Sequence, residues 1–212
     1  MVKRVGIFGT SGMAREAGDI ALELGYIPVY VARDQSELSA LSSTCDVILE
    51  KNIVNNQDME YCIAIGDNSI RQFIARRYLD RLHFTNLIHP SATFGRSQRE
   101  LIESRKGIIV CAGVRFTSNI QVGDFCIFNL NTTVSHDSII EDYVYVAPGA
   151  HITGNVHIGT RSWIGVGVAI NQGSYNKKLF IGADTIIGSG AVVIKDCDPN
   201  SVYVGVPVRK IK

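Results

Sequence analysis

Apolar side chains return at every sixth position from Val110 to Ile170, eleven in succession: Val110, Phe116, Val122, Phe128, Val134, Ile140, Val146, Ile152, Ile158, Ile164 and Ile170. The fifth residue of each hexad, from Val114 and Ile120 through Cys126 to Val168 and Ser174, is small or β-branched. A helix repeats near 3.6 residues and a strand every two, so neither accounts for a period of six. Short strands that turn a corner and stack coil upon coil do; this is the pattern of a parallel β-helix. Three hexads make one coil of 18 residues, and residues 110–175 fill more than three coils. Residues one coil apart share an edge of the prism, separated by roughly 5 Å, the spacing of paired strands.

The segment before the prism reads differently. Residues 3–9 (KRVGIFG), 27–32 (IPVYVA), 46–49 (DVIL) and 61–66 (YCIAIG) predict strands. Helices are predicted from about Ala14 to Leu24, stopped by Gly25, and after Asp67–Asn68 through Leu79. This alternation predicts a small, Rossmann-like parallel α/β domain over residues 1–85, followed by the β-helix domain and its tail over 86–212. A strand near 83–88 leads out of the first domain. One hexad appears at Ile88–Phe94, and a charged insertion at about Arg96–Lys106 then interrupts the beat. After Ile170 five extra residues move the next repeat positions to Ile181, Ile187 and Val193, so Asn171–Lys178 is expected to be a loop or a strained corner.

Counting along the beat singles out one place. His136 and Gly154 are each third in their hexads and lie 18 residues apart, hence on one edge in adjacent coils. A base beside a backbone N–H suits acyl transfer, in which one group takes a proton and the other holds the developing oxyanion. Asp137, next to His136, can fix the imidazole tautomer if the corner turns both side chains the same way. The competing reading is that His136 is a surface residue, as we read His151 and His157. His83 and His89 carry no partner pattern, and no histidine pair has zinc spacing, so no metal is expected.

In the first domain, Gly9–Thr10–Ser11–Gly12 follows a strand and opens a helix. It is either a tight turn or a cradle for phosphate or hydroxyl groups, G-x-x-G rather than a complete dinucleotide fingerprint. Asp34, at the end of the second strand, could accept from a ribose or sugar hydroxyl. Gly66–Asp67–Asn68 closes a later strand, and Asp67 or Asn68 is either a ligand group or the helix N-cap. Three strand ends on one sheet edge favour a ligand crevice there. The tail cations Arg209, Lys210 and Lys212 are either solvated or a contact to a phosphate-bearing cofactor.

Charge is balanced, with 21 basic and 20 acidic residues, which excludes the basic stripe that nucleic-acid binding needs. No segment is long enough to span a bilayer, and no signal-peptide core is present. Five cysteines without metal spacing suggest a reduced, cytoplasmic protein, with Cys126 packed inside the repeat.

The stretch SHDSIIEDYVYVAPGAHITGNVHIG and the tail YVGVPVRKI resemble the left-handed β-helix acyltransferases. With GIFGTSGMARE and IAIGDNSIR, the chain is similar over nearly its whole length to the nucleotide-sugar N-acetyltransferases that act on UDP-4-amino-sugars in bacillosamine synthesis. Relatives of that branch act on dTDP-4-amino-4,6-dideoxyglucose and GDP-perosamine, and sialic-acid O-acetyltransferases share the architecture. The resemblance implies acetyl-CoA as co-substrate, a nucleotide-linked amino sugar (dTDP, GDP or UDP) as acceptor, and a homotrimer with sites between neighbouring prisms. It implies His136 as general base, Asp137 as its acidic partner and the Gly154 N–H against the thioester carbonyl. Ser11, Gly12, Met13, Arg33–Asp34 and Gly66 match the nucleotide-sugar site. Val166 and Ser189 match acetyl-CoA contacts, and Tyr145 stands where the bacillosamine enzyme has a histidine touching acetyl-CoA. Arg33 replaces the first Asp of a pair, which puts UDP in doubt. The alternatives are a sugar O-acetyltransferase and a non-catalytic trimer that binds nucleotide sugars.

Overall fold

The computed structural model describes residues 3–41, 43–56 and 58–212. The first domain is a four-stranded parallel sheet of β1 (Arg4–Phe8), β2 (Ile27–Ala32), β3 (Val47–Leu49) and β4 (Glu60–Ile63), in the order β3-β2-β1-β4. Helix α1 (Gly12–Glu23) buries Ala14, Ala17, Gly18, Ile20 and Ala21, the small-residue face its spacing dictates. Helix α2 (Gln35–Leu41) follows β2, and α3 (Asn68–Tyr78) follows β4. The expected strand at 83–88 is divided. Phe84 makes a single bridge to Tyr61 of β4, whereas Leu87–Ile88 already belongs to the prism.

The second domain is a three-sided parallel β-helix whose walls pair in parallel at the 18-residue register: Ile127 with Tyr145, Thr133 with His151, Ile139 with His157. Every one of the eleven repeat positions is buried in a single core. The fifth positions fill the corners inside, down to the buried Thr132, Ser138 and Ser162. The exception is Ser174, which is exposed because it falls in the loop after Ile170. The shifted positions Ile181, Ile187 and Val193 re-enter the core. The charged insertion is partly helical, α4 (Gln98–Glu103), and plugs one end of the prism with Ile102.

Each corner turns through a residue in the left-handed region. Asn119, Asp137 and Asn155 do so on one edge; Gly149 and Gly167 on a second; Phe125, Tyr143 and Arg161 on the third. Asn, Asp and Gly tolerate this region, whereas bulky residues resist it by about 1–2 kcal/mol each. The third edge is where the α/β domain docks. The fully buried Arg71 of α3 donates to the carbonyls of Phe125 (2.8 Å), Tyr143 (2.7 Å), Ile65 (2.7 Å) and Gly66 (3.1 Å), and to Asn68 Oδ1 (2.7 Å). Asn68 in turn donates to the Arg161 carbonyl at 2.7 Å. One wall of the prism turns Leu87, Ile109, Ile127 and Tyr145 outward, and these pack with Val5, Ile7, Ala14 and Ala17. Replacing Arg71 by Met removes five donor contacts and leaves carbonyls without partners. The expected loss is at least about 3 kcal/mol of unfolding free energy in a denaturant titration.

Candidate active site

His136 and Gly154 meet at one prism corner. A Cβ built on Gly154 would lie 2.5 Å from Cε1 and Nε2 of His136, so only glycine admits the ring there. The Asn155 N–H donates to the His136 carbonyl (2.8 Å), which locks the two coils in register. Third-position N–H groups point out of the corners. Those of Asp124, Leu130 and Thr160 are taken by side chains, whereas those of Ala112, Ser118, His136, Asp142, Val166 and Gly154 have no partner among the described residues; Gly154 is set apart by the imidazole packed against it. Its N–H is a donor aimed out beside a potential base.

Asp137 has φ 60°, and this left-handed turn swings its side chain back toward its neighbour. His136 Nδ1 lies 2.7 Å from Asp137 Oδ2, which leaves Nε2 as the ring's accepting nitrogen when Nδ1 carries the proton. Both side chains are about half exposed, 48% and 47%. Asp137 Oδ1 accepts from Asn119 Nδ2 at 2.6 Å. The Asn119 amide foremost, then His136, holds the Asp137 carboxyl below the usual carboxylate range. Lys178, returning from the loop after Ile170, donates to the Asp137 carbonyl and to Asn155 Oδ1. Sequence reasoning missed Asn119 and Lys178. Asn119 stands 18 residues before Asp137, so the same counting finds it; Lys178 sits in the break and carries no periodic signal.

Val166 and Ser189 are exposed on a different edge, stacked through the Gly190 N–H to the Val166 carbonyl (2.8 Å). Tyr145 is not on that surface. It is buried beneath the α/β domain, stacked on Trp163 at 4.2 Å, with its hydroxyl accepting from Asn129. The apolar outward wall explains this correction. Lys210 is held by Asp198 at 3.0 Å, so its charge is already partnered, while Arg209 is exposed. His157, expected to be a plain surface residue, is half-buried and bonded to Glu141 at 2.7 Å.

A cavity of about 220 Å³ opens at the carboxyl ends of the α/β strands, lined by Gly9, Thr10, Ser11, Arg33 and residues of β1, β2 and α3. Helix α1 points its N-terminus here with no side-chain cap and no acid in its first turn, an arrangement that favours an anion. Gly12 has open space where a Cβ would stand. Met13 packs toward the prism, its sulfur 3.7 Å from Asn129 Nδ2, and Gly66 faces Trp163 and Tyr145. Three expected ligand groups are instead engaged in the fold. Asp34 accepts from the Glu37 N–H (3.0 Å) and Arg33 Nε (3.2 Å), and Asp67 caps α3 through Ile70 N–H (2.8 Å). Asn68 is buried and spent on the interdomain contacts. Among the described residues no cluster of three His, Cys, Asp or Glu side chains could hold a metal, and no helix is long and apolar enough to cross a membrane.

Residues 4–78 match the PglD N-terminal domain. The GDP-perosamine N-acetyltransferase of Escherichia coli O157:H7 is 37% identical over 71% of this chain, and the chain spans 66% of that relative's length. PerB of Caulobacter crescentus, solved with CoA and GDP-perosamine, superposes with a TM-score of 0.83 at 27% identity, covering 100% of this chain and 99% of that one. The acetyltransferase domain of PglB from Neisseria gonorrhoeae, solved with acetyl coenzyme A, gives 0.86 at 25% identity over 100% of both. An α/β domain ahead of a prism with a histidine–glycine corner is the build of a left-handed β-helix acetyltransferase. This chain belongs to the nucleotide-sugar N-acetyltransferases of that family.

Replacing Asn119 by Ala removes the first cause of the depressed Asp137 value. The carboxyl is then expected to protonate at higher pH, closer to the ordinary value of about 3.9, as read by carboxyl-carbon NMR titration. A depressed folded-state value means that ionised Asp137 favours the native corner above the ordinary carboxylate range. That contribution is lost as pH falls through the depressed value, and sooner in Asn119→Ala.

Proposed function

We propose that the chain transfers an acetyl group from acetyl-CoA to the C4 amine of a nucleotide-linked 4-amino-4,6-dideoxy-sugar, for glycan or surface polysaccharide synthesis. The observation that carries this is the His136–Gly154 corner: a base with its accepting nitrogen beside a bare, outward N–H. Residues 1–85 would hold the nucleotide sugar, its diphosphate on the uncapped end of α1, and residues 86–212 would carry the chemistry.

The amine bonds to the acetyl carbonyl carbon, and the proton it releases passes to His136 Nε2. Asp137 stabilises the resulting imidazolium through Nδ1. The Gly154 N–H donates to the carbonyl oxygen as it gains charge. The C–S bond then breaks, and the departing sulfur takes the proton from His136. No acyl-enzyme is required, because a neutral amine is nucleophile enough. The carbonyl side of the cofactor would meet Gly154, and Val166, Ser189 and Arg209 offer exposed contacts.

The His136 and Val166 edges are different edges of one prism, so a second copy presenting its Val166 edge to the first copy's His136 edge would complete a site. A three-fold ring repeats that contact in every chain. We therefore assign a homotrimer, tested by sedimentation equilibrium. A cytoplasmic setting fits five unbridged thiols, four of them buried.

His136→Ala is expected to lower kcat by about 10²–10⁴-fold with an unchanged melting temperature. Gly154→Ala should force the imidazole aside and cost on the order of 10²-fold. Both are measured by free-thiol release from acetyl-CoA with 4-amino nucleotide sugars. Near-normal turnover in His136→Ala refutes the mechanism, and turnover with sialic acid in place of the amino sugars favours O-acetylation. Sugar binding without thiol release marks a non-catalytic binder.

A further inference from the structure

The cavity at the strand ends of the first domain carries a feature that the diphosphate does not explain. Its walls are apolar: Phe8, Val31, Ile65, Ile70 and Ile74. At about 220 Å³ it is smaller than the roughly 300 Å³ where whole-ligand pockets begin, so it suits one end of an elongated ligand. Two carboxylates stand in this apolar lining, Glu37 and Glu50. Glu37 is already spent: its two oxygens take the Arg33 N–H (2.9 Å) and the Arg33 guanidinium (3.3 Å).

Glu50 is different. Its side chain is only 18% exposed. Oε1 accepts from the Tyr78 hydroxyl (2.8 Å) and from Arg77 (3.2 Å), which fix the carboxylate in place. Oε2 has no hydrogen-bond partner among the described residues. A fixed carboxylate with one unused oxygen, at the edge of an apolar slot, calls for a flat ligand edge that carries donors.

We propose that this slot binds the base of the nucleotide sugar and that Glu50 selects guanine. Guanine presents N1–H and N2–H₂ side by side, two donors that converge on a carboxylate. Uracil and thymine present an acceptor on each side of N3–H, so they would set a carbonyl oxygen against the carboxylate. Adenine presents its N1 lone pair. The base lies between the apolar walls with its sugar and diphosphate running back over Gly9–Ser11 toward α1. The assignment rests on the nucleotide-sugar reading above and narrows it to guanosine diphosphate sugars.

The test is calorimetric titration of the full chain with GDP, IDP, UDP, dTDP and ADP, without any acetyl donor. GDP is expected to bind at least about ten-fold more tightly than UDP, dTDP or ADP, the scale of one well-made pair of base contacts. IDP, which keeps N1–H and lacks the amino group, falls between. Glu50→Gln is expected to bring GDP to the level of UDP while leaving UDP affinity unchanged, and this selective loss separates recognition from misfolding. UDP or dTDP binding the wild type as tightly as GDP overturns the proposal, as does an intact GDP preference in Glu50→Gln. If no nucleoside diphosphate binds, the nucleotide-sugar reading falls with it. A GDP preference without thiol release from acetyl-CoA upholds Glu50 as the guanine selector and refutes acetyl transfer alone.

Discussion

A single buried guanidinium joins the two halves of this molecule. Arg71 sits in α3 with no carboxylate bonded to it among the described residues; its five contacts go to four backbone carbonyls and one amide oxygen. Burying a charge costs several kcal/mol after relaxation, and hydrogen bonds made by charged groups return about 1.5–3 kcal/mol each. Desolvation draws the Arg71 value down to about 10, which still leaves it protonated near neutral pH. Two of its acceptors belong to Phe125 and Tyr143, bulky residues held in the left-handed region and stacked at 5.5 Å. Two more belong to Ile65 and Gly66, at the strand end beside the cavity of the first domain. The same side chain therefore holds two strained corners of the prism and the strand end beside the cavity in one frame.

The left-handed corner that strains Phe125 is useful on the opposite edge. Two consecutive residues of an extended strand point to opposite faces and cannot form a base–acid pair. Placing Asp137 at φ 60° reverses its direction, so that His136 and Asp137 bond to each other over 2.7 Å. Asp is also among the residues that tolerate this region. Asn119 and Asn155 occupy the same backbone site one coil away on either side. The repeat thus delivers a ladder of three polar corner residues, and one of them carries the acid.

Much of this was legible in the sequence, because periodicity is a direct record of burial. The eleven-fold beat located every inward side chain, and counting by 18 put His136 beside Gly154. The second record, in the residue preceding each repeat position, went unread. On one wall that residue is Leu87, Ile109, Ile127, Tyr145 and Trp163; on another it is Thr93, Arg115, Thr133 and His151. The apolar series marks the wall that the α/β domain covers, and reading it would have moved Tyr145 from the cofactor surface to the interface. For Asp34, Asp67 and Asn68 the sequence alone does not separate a ligand group from a fold contact, because a polar residue at a strand end serves a ligand or a helix N-terminus equally well. Only the positions of the Glu37, Ile70 and Arg161 backbones decide between them.

The break in the beat is as informative as the beat. Five residues are inserted after Ile170, on the edge that carries His136 and Gly154. There the Gly173 N–H donates to the Gly154 carbonyl at 3.1 Å, and Asn155 Nδ2 donates to the Ser174 carbonyl. Lys178 closes the excursion by donating to Asp137 and Asn155. The insertion is tied at both ends to the residues that flank the base. The 18-residue register holds through Gly173, whose bond to Gly154 continues the series that joins Asp137 to Ser118 and Asn155 to His136; beyond it the loop carries the chain outward, to a fully exposed Tyr175, before Leu179 pairs again. The prism keeps its period through the His136–Gly154 corner and leaves it only after Gly173, where side chains of the departing strand's neighbours, Asn155 and Lys178, tie the loop back to the wall.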